Sequence, residues 1–179
     1  MQQQPDKLKI TLIMVMSANG VVAQNKIENS FEWNSEADRK QFLDKVKHIG
    51  VACMGANTFR SVGCKPYDGV EFYVLTNHPE ELPSHERVTY LNGDVEAAYK
   101  SWQEKGYRHI ALLGGPHTNT SFLEKNLVDE IYLTVEPIMM PDGMHIVNGI
   151  GKNIALRLEN IEVLNPEKTL LLHYLVKKH

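Results

Sequence analysis

Short apolar runs, nearly free of charge and separated by helix-forming or turn-forming stretches, constrain this chain more than any other feature. The first, Lys9 to Met16, is built from Ile, Thr, Leu, Met and Val with no charge after Lys9, which is how a strand buried on both faces reads. "GVACMG", "EFYVLT", "RVTYL", "HIALL" and "EIYLTVEPI" repeat the pattern downstream. Between them, Ser35 caps a helix through Lys47 with Ala37, Phe42, Leu43 and Val46 at helical spacing. "NTFRSVG" reads as a short helix closed by Gly63, and Asp94 caps a helix from Val95 to Lys105 that Gly106 ends. Another helix follows "HIALLGG" and ends near Asn126. Buried strands alternating with helices specify a mostly parallel sheet with helices on its faces. The tail changes character: "ALRLENIEVL" and "TLLLHYLVKK" flank the turn sequence "NPEK" and predict an antiparallel hairpin. The expected fold is α/β, with a central sheet of about eight strands in a single domain over residues 1–179.

The bulk properties exclude several function classes. A net charge of -3 offers no basic footprint for nucleic acid. The longest apolar run is far too short to span a bilayer, and "MQQQPDKLK" lacks the apolar core of a secretion signal. Cys53 and Cys64 have neither the number nor the spacing of a disulfide framework or zinc site, and no other spacing suggests a metal. The expectation is a reduced, cytoplasmic protein whose partner is a small molecule, with no nucleic acid and no membrane.

In "IALLGGPHTNTSFL", residues 110–123, a buried strand stops on Gly114-Gly115 and a helix restarts at once. Such a pair makes a tight turn, or it lets a phosphate approach the backbone at a helix amino end, where N–H groups are free. Pro116 suits the first helical position. "CMGANTF" repeats the arrangement, with Gly55 ahead of Asn57 and Thr58. Parallel sheets bind ligands at the carboxyl ends of their strands, so two such ends could hold the two sides of a pyrophosphate. Neither stretch is a G-x-G-x-x-G fingerprint or a P-loop.

The order "MVMSANGVVA", a Trp before a helix, "MGANTF", "YVLT" and "LLGGPHTNTSFLEKNLVDEIYLTVEP" resembles the dihydrofolate-reductase-like fold family. It looks most like the reductase domains of riboflavin biosynthesis, and the match runs from Lys9 to about Lys177. The resemblance implies NADPH as cofactor, NADH not being excluded, with the pyrophosphate on Gly55, Asn57, Thr58 and Gly114, Gly115, Pro116, His117, Thr118. It implies a cis Gly114–Gly115 peptide, the adenosine 2'-phosphate near Thr76 and Asn77, and the nicotinamide beside Gly20 and the Asn19–Ile27 loop. It also makes a homodimer plausible. The sequence departs from the family at Ala56 and Asn57, where relatives carry Arg or Lys, and at Asn77-His78, with Arg60, His78 and Lys65 as substitute phosphate partners. Asn19 stands where relatives have an Asp.

Reduction of a C=N or C=O bond needs a proton near the acceptor atom, and a buried carboxyl is a common donor. Asp38 is the candidate. It lies in the first turn of its helix, four residues before Phe42, so acid and aromatic share a face. Ser35 and Asp38 also fit a Ser-x-x-acid cap, and the helix dipole favours an acid there in any case. Glu36 is the weaker competitor. By resemblance Thr134 is the strand threonine that shares a water with the acid, and Trp33 and Phe42 meet the substrate ring. His85, His173 and His179 read as unpaired, with no chemistry assigned. The chain is therefore expected to be a nicotinamide-dependent reductase of a ribosylaminopyrimidine- or pterin-like substrate, resembling 5-amino-6-(5-phosphoribosylamino)uracil reductase. Dihydrofolate reductase proper and a nucleotide-binding relative without turnover are the alternatives.

Overall fold

A computed structural model of the chain describes residues 7–25 and 28–178. The elements run β1 (Lys9–Ser17), α1 (Glu36–Ile49), β2 (Val51–Gly55), α2 (Ala56–Ser61), β3 (Glu71–Leu75), β4 (Val88–Leu91), α3 (Val95–Glu104), β5 (His109–Leu112), α4 (Pro116–Glu124), β6 (Glu130–Glu136), β7 (Leu156–Val163) and β8 (Leu170–Val176). Short 3-10 turns at Ser30–Glu32 and Pro79–Glu81 lie in stretches that read as loop. One sheet contains all eight strands in the order β4-β3-β2-β5-β1-β6-β8-β7. The first six strands pair in parallel, and β8 and β7 add the antiparallel edge.

Both faces of the parallel part are covered, which is why its strands carry almost no charge. Val46 of α1 and Phe59 of α2 pack with Ala52, Phe72 and Ala111 on one face. Trp102 of α3 and Phe122 of α4 pack with Ile10, Cys53 and Leu112 on the other. The antiparallel edge is covered less well. The register pairs Leu156, Leu158, Ile161 and Val163 of β7 with Val176, Tyr174, Leu172 and Leu170 of β8. Paired residues project to the same side, so a bulge between Leu158 and Asn160 keeps all four β7 side chains on one face. All four are exposed.

Two features of the topology open a cleft. β1 pairs with β5 only as far as Leu12↔Leu112, whereas its pairing with β6 continues to Ser17↔Glu136. The sheet is therefore split above Leu12. The helices that follow the neighbouring strands β2 and β5 leave to opposite faces, and this makes a switch point at the carboxyl ends of the strands.

Candidate active site

The split holds a cleft of about 560 Å³ with Ile13, Met14 and Val15 as its floor. At one end stand the amino ends of α2 and α4. Neither helix has a side-chain cap, Gly55 and Gly115 being the cap residues, so their first N–H groups are left to a ligand or solvent. Gly55 N–H donates to Gly114 C=O at 2.8 Å and ties the two ends together. The Gly114–Gly115 peptide is cis, and Gly114 has φ of 97°. A Cβ on Gly55 would lie 2.6 Å from Thr118 Oγ1, and one on Gly115 would lie 2.9 Å from Thr58 Oγ1. Each glycine thus leaves room for the threonine of the opposite helix. The bare backbone has a packing cause as well as suiting a phosphate, and it brings the two hydroxyls beside the glycines that open the uncapped helices. Glycine cradle, uncapped helix ends and paired hydroxyls fit the pyrophosphate of a dinucleotide.

Asp38 stands at the other end. Ser35 caps α1 by accepting from Asp38 N–H at 3.2 Å. The carboxyl of Asp38 does not reciprocate, because Ser35 N–H donates instead to Glu136 Oε1 at 2.8 Å. Glu136, at the end of β6, also accepts the Thr169 hydroxyl at 2.7 Å. With the helix end served from the sheet, the Asp38 carboxyl turns inward. It accepts from Asn34 Nδ2 at 2.6 Å and from Gln41 Nε2 at 2.9 Å, and Gln41 Nε2 also lies 3.2 Å from Thr134 Oγ1. Burial pushes the Asp38 pKa above its ordinary value; hydrogen bonds from Thr134, Gln41 and Asn34 oppose the shift, and the charge of Glu136 adds to it. Among the described residues Gln41 Oε1 is buried without a partner. Rotated by half a turn, that amide would offer its oxygen to a protonated Asp38, so the network accommodates either charge state.

Phe31, Phe42 and Tyr67 wall this end. Phe42 meets Phe31 edge-on at 5.7 Å and Tyr67 at 5.8 Å between ring centres, while Phe31 and Tyr67 lie nearly parallel at 6.4 Å. Burial raises the Tyr67 phenol to about 12 and keeps it neutral. The far wall is a strap, residues 137–155, that joins β6 to β7. Val22 N–H donates to Met144 C=O at 2.8 Å and Met144 N–H to Ala23 C=O at 2.7 Å. Asn119 Nδ2 of α4 donates to Ile146 C=O at 2.8 Å. The strap also brings His145 to the cleft, with Nδ1 2.9 Å from Gly20 C=O.

Asp38, Phe42, Gly55, Asn57, Thr58 and the run Gly115 to Thr118 line this one cleft. Thr134 is fully buried behind Asp38, and Gly114 is buried beneath the turn. Gly20, Trp33, Thr76 and Asn77 are not among the lining side chains. Ile27 lies outside the described residues. Arg60 pairs with Glu81 at 2.9 Å and His78 lies 3.2 Å from Glu80, so two of the three substitute phosphate partners already face carboxylates, while Lys65 is exposed and does not line the cleft. His78, Glu80 and Glu81 are also a grouping of metal-ligand type among the described residues, all exposed. The unpaired reading of two histidines needs correction. His173 Nε2 lies 2.9 Å from Glu130 Oε2 because β8 returns beside β6, and His85 Nδ1 accepts from Arg87 N–H at 3.1 Å. His179 lies outside the described residues. Phe31, Tyr67, Gln41, Glu136 and the strap escaped the sequence reading. Phe31, Gln41 and Glu136 each stood within two residues of one already singled out, Trp33, Phe42 and Thr134, but carried no signal of their own.

A family model of the RibD C-terminal domain matches residues 67–170, more than half of the chain. The chain belongs to the RibD C-terminal domain family. Membership puts it in a family of reductase type. The chain is 25% identical over 174 residues to the uncharacterized protein YwjB of Bacillus subtilis (strain 168), covering 93% of this chain and 97% of that one. It is 28% identical over 86 residues to the riboflavin biosynthesis protein RibD of Aquifex aeolicus (strain VF5), covering 45% of this chain and 24% of RibD. The fold is shared with a putative riboflavin biosynthesis protein from Shewanella sp. PV-4, at a TM-score of 0.82, 20% identity and 96% and 100% coverage of the two chains. It is shared too with dihydrofolate reductase from Enterococcus faecalis complexed with NADP(H) and RAB-propyl, at 0.68, 20% identity and 95% and 97% coverage. The fold of this chain is thus dihydrofolate-reductase-like. Among the described residues no helix is long and apolar enough to cross a membrane.

Proposed function

We propose that the chain is an NADPH-dependent reductase of a small nitrogen heterocycle, ribosylaminopyrimidine- or pterin-like, with Asp38 as the proton donor. One observation carries this reading. A single cleft joins bare helix amino ends to a buried carboxyl whose partners are two amides and a hydroxyl.

NADPH, once bound, supplies the hydride. The amino end of α4 with Thr118, and Gly55 with Thr58, would hold its pyrophosphate by N–H and hydroxyl donors. At its end of the cleft Asp38 is the group suited to carry the proton, because burial disfavours its charged form and raises its pKa. Asn34, Gln41 and Thr134 fix the direction of that carboxyl. Asp38 would give its proton to the nitrogen of the C=N bond whose carbon is reduced, and would regain one from solvent. Phe31, Phe42 and Tyr67 exclude water from the transfer.

Titration of NADPH fluorescence followed by absorbance loss with candidate rings tests the reading. Quenching and oxidation are expected; quenching without oxidation across the panel would favour a nucleotide-binding relative without turnover. The pairing of Arg60 with Glu81 bears on the nucleotide. Glu81→Gln should free the guanidinium and strengthen NADPH relative to NADH.

The same reading takes the chain as a homodimer. The four exposed apolar side chains on one face of β7 support it, since an uncovered edge of this kind favours pairing with another copy. Sedimentation of the parent and of Ile161→Lys, expected to shift toward monomer, is the check.

A further inference from the structure

Asp38 has a second buried carboxyl close behind it, one that the proposed reaction does not use. Glu136 ends β6 two residues beyond Thr134 and is 4% exposed. Its Oε1 accepts the Ser35 N–H at 2.8 Å, and its Oε2 accepts the Thr169 hydroxyl at 2.7 Å. Thr169, fully buried ahead of β8, is fixed in turn by Asn165. Asn165 Nδ2 donates to the Thr169 hydroxyl oxygen at 2.9 Å, and Asn165 Oδ1 accepts the Thr169 N–H at 3.0 Å. The hydroxyl has one proton, and Glu136 receives it. A series of bonds therefore runs from the turn of the β7–β8 hairpin, through Glu136, to Ser35, whose Oγ accepts the N–H of Asp38 itself at 3.2 Å.

This relay bears on Asp38 in two ways. An acid three residues after a Ser cap ordinarily turns back to the N–H of the cap residue, and Glu136 already occupies that donor. The Asp38 carboxyl is thereby released toward the cleft. The donors to Glu136 are a backbone N–H and a hydroxyl, both uncharged, so they fix its carboxylate without cancelling the field that reaches Asp38. Burial raises the Asp38 pKa most, and the charge of Glu136 adds to it. Other ionisable groups on the same stretches are otherwise engaged or exposed. Arg39 donates to the carbonyls of Phe31 and Asn34 at 2.9 Å, and Glu28 accepts the Gln24 N–H. Burial keeps the Tyr67 phenol neutral, and Glu36, Glu167 and Lys168 are exposed.

Resting on the reductase reading, we propose that Glu136 is a positioning residue: with Thr169 behind it, it turns the Asp38 carboxyl into the cleft and keeps on Asp38 the proton for which the two acids compete. Thr169 and Asn165, which do not line the cleft, act on that proton through Glu136.

The test reads the Asp38 proton directly. In the full chain, labelled at its aspartate carboxyl carbons for NMR, the Asp38 signal is identified by its loss in Asp38→Asn and followed against pH without substrate. Glu136→Gln keeps the shape of the side chain and an oxygen for the Ser35 N–H but removes the charge. The Asp38 midpoint should then fall by at least about half a pH unit. Thr169→Val leaves the Glu136 charge less well held, so Glu136 takes a larger share of the proton and the Asp38 midpoint should fall by less. Thr169→Ser, which keeps the hydroxyl, should restore the parent's value. Every other ionisable group, Lys26 included, is common to the parent and these variants, so the difference reads Glu136 alone. In turnover, the falling limb of the pH–rate profile of Glu136→Gln should move to lower pH. A carboxylate that served only to cap the helix would cost stability in urea when replaced and leave the Asp38 midpoint where it was. An unmoved or raised midpoint overturns the inference; should Glu136→Gln not fold, Thr169→Val set against Thr169→Ser decides by the same criterion. The reductase reading fails separately, by lack of NADPH binding or oxidation, and the carboxyl titration needs neither.

Discussion

Glu130 opens β6 and Asp38 sits beside its far end, and the two carboxyls are almost equally buried at 4% and 2% exposure. Their surroundings differ. Glu130 receives the Lys9 ammonium at 2.7 Å, the Thr11 hydroxyl at 2.7 Å and His173 Nε2 at 2.9 Å. Thr11 has one proton and gives it to Glu130, so His109, 2.6 Å from the same hydroxyl, must donate in turn. Burial, then the charge of Lys9, hold His109 below its ordinary pKa. Burial alone would raise Glu130, yet the bonds from Lys9, Thr11 and His173 keep it below its usual range. Asp38 has only amides and hydroxyls and is pushed the other way. Burial does not decide what a carboxyl does. A cation beside it makes it part of the architecture, whereas neutral donors leave it able to hold a proton.

The largest expected effect is on turnover. Asp38→Asn should lower hydride transfer by roughly 10² to 10⁴ with cofactor affinity retained, while Glu130→Gln should keep turnover at saturating substrate within threefold of the parent. Single-turnover absorbance measurements on both variants compare the sites directly. A normal rate for Asp38→Asn would erase the distinction and hand the proton to Glu36 or solvent.

Stability should separate the pair in the opposite sense. Glu130→Gln leaves Lys9 and His173 without their anion and should cost about 1–3 kcal/mol. Asp38→Asn removes a charge that burial disfavours, so at pH 7 its stability should equal or exceed that of the parent; urea melts read both.

The pH dependence sharpens the contrast further. Glu130, whose folded pKa lies below the ordinary 4.5, contributes stability that is present above that pH and lost as pH falls through the folded value. Asp38, raised above the ordinary 3.8, contributes stability that is full below that pH and lost as pH rises through its folded value. Urea melts between pH 3 and 7 should therefore change slope in opposite directions in the two variants. The same slope change in both would refute the assignment.

The smallest effect concerns tuning. Thr134→Val and Gln41→Leu each remove a donor that holds the Asp38 pKa down. Each should move the falling limb of the pH–rate profile to higher pH, Thr134→Val by more. An unmoved limb in both would take Asp38 out of the profile.

Much of this was legible in the residues, for identifiable reasons. The apolar runs marked the strands because burial on both faces excludes charge, and "LLGGPH" marked one end of the cleft because few turns need two bare residues before a helix. The acid end was legible only in part. Asp38 stood out through its spacing to Phe42, but Ser-x-x-acid made a helix cap equally good. The choice between them depends on Glu136, which reaches Ser35 across 101 positions of sequence. No local pattern carries that information. The strap has no periodicity, because its bonds go to the β1 loop and to α4 and not to itself. His173 looked unpaired because its partner depends on β8, and not β7, lying against β6.

That placement of β8 governs the order in which a new chain can be completed. β6 leaves the ribosome with one edge open, and β7 follows with an apolar face and no neighbour to pair with. Neither finds its partner until β8 is made and slides between them. Thr169, just ahead of β8, then delivers its hydroxyl to Glu136, so the clamp on α1 and the orientation of Asp38 are finished in the same step. A nascent chain halted before Thr169 would hold a six-stranded sheet and the glycine turn, yet have no working acid end. It would also display the apolar face of β7, exposed surface of the kind that makes incomplete chains prone to aggregate.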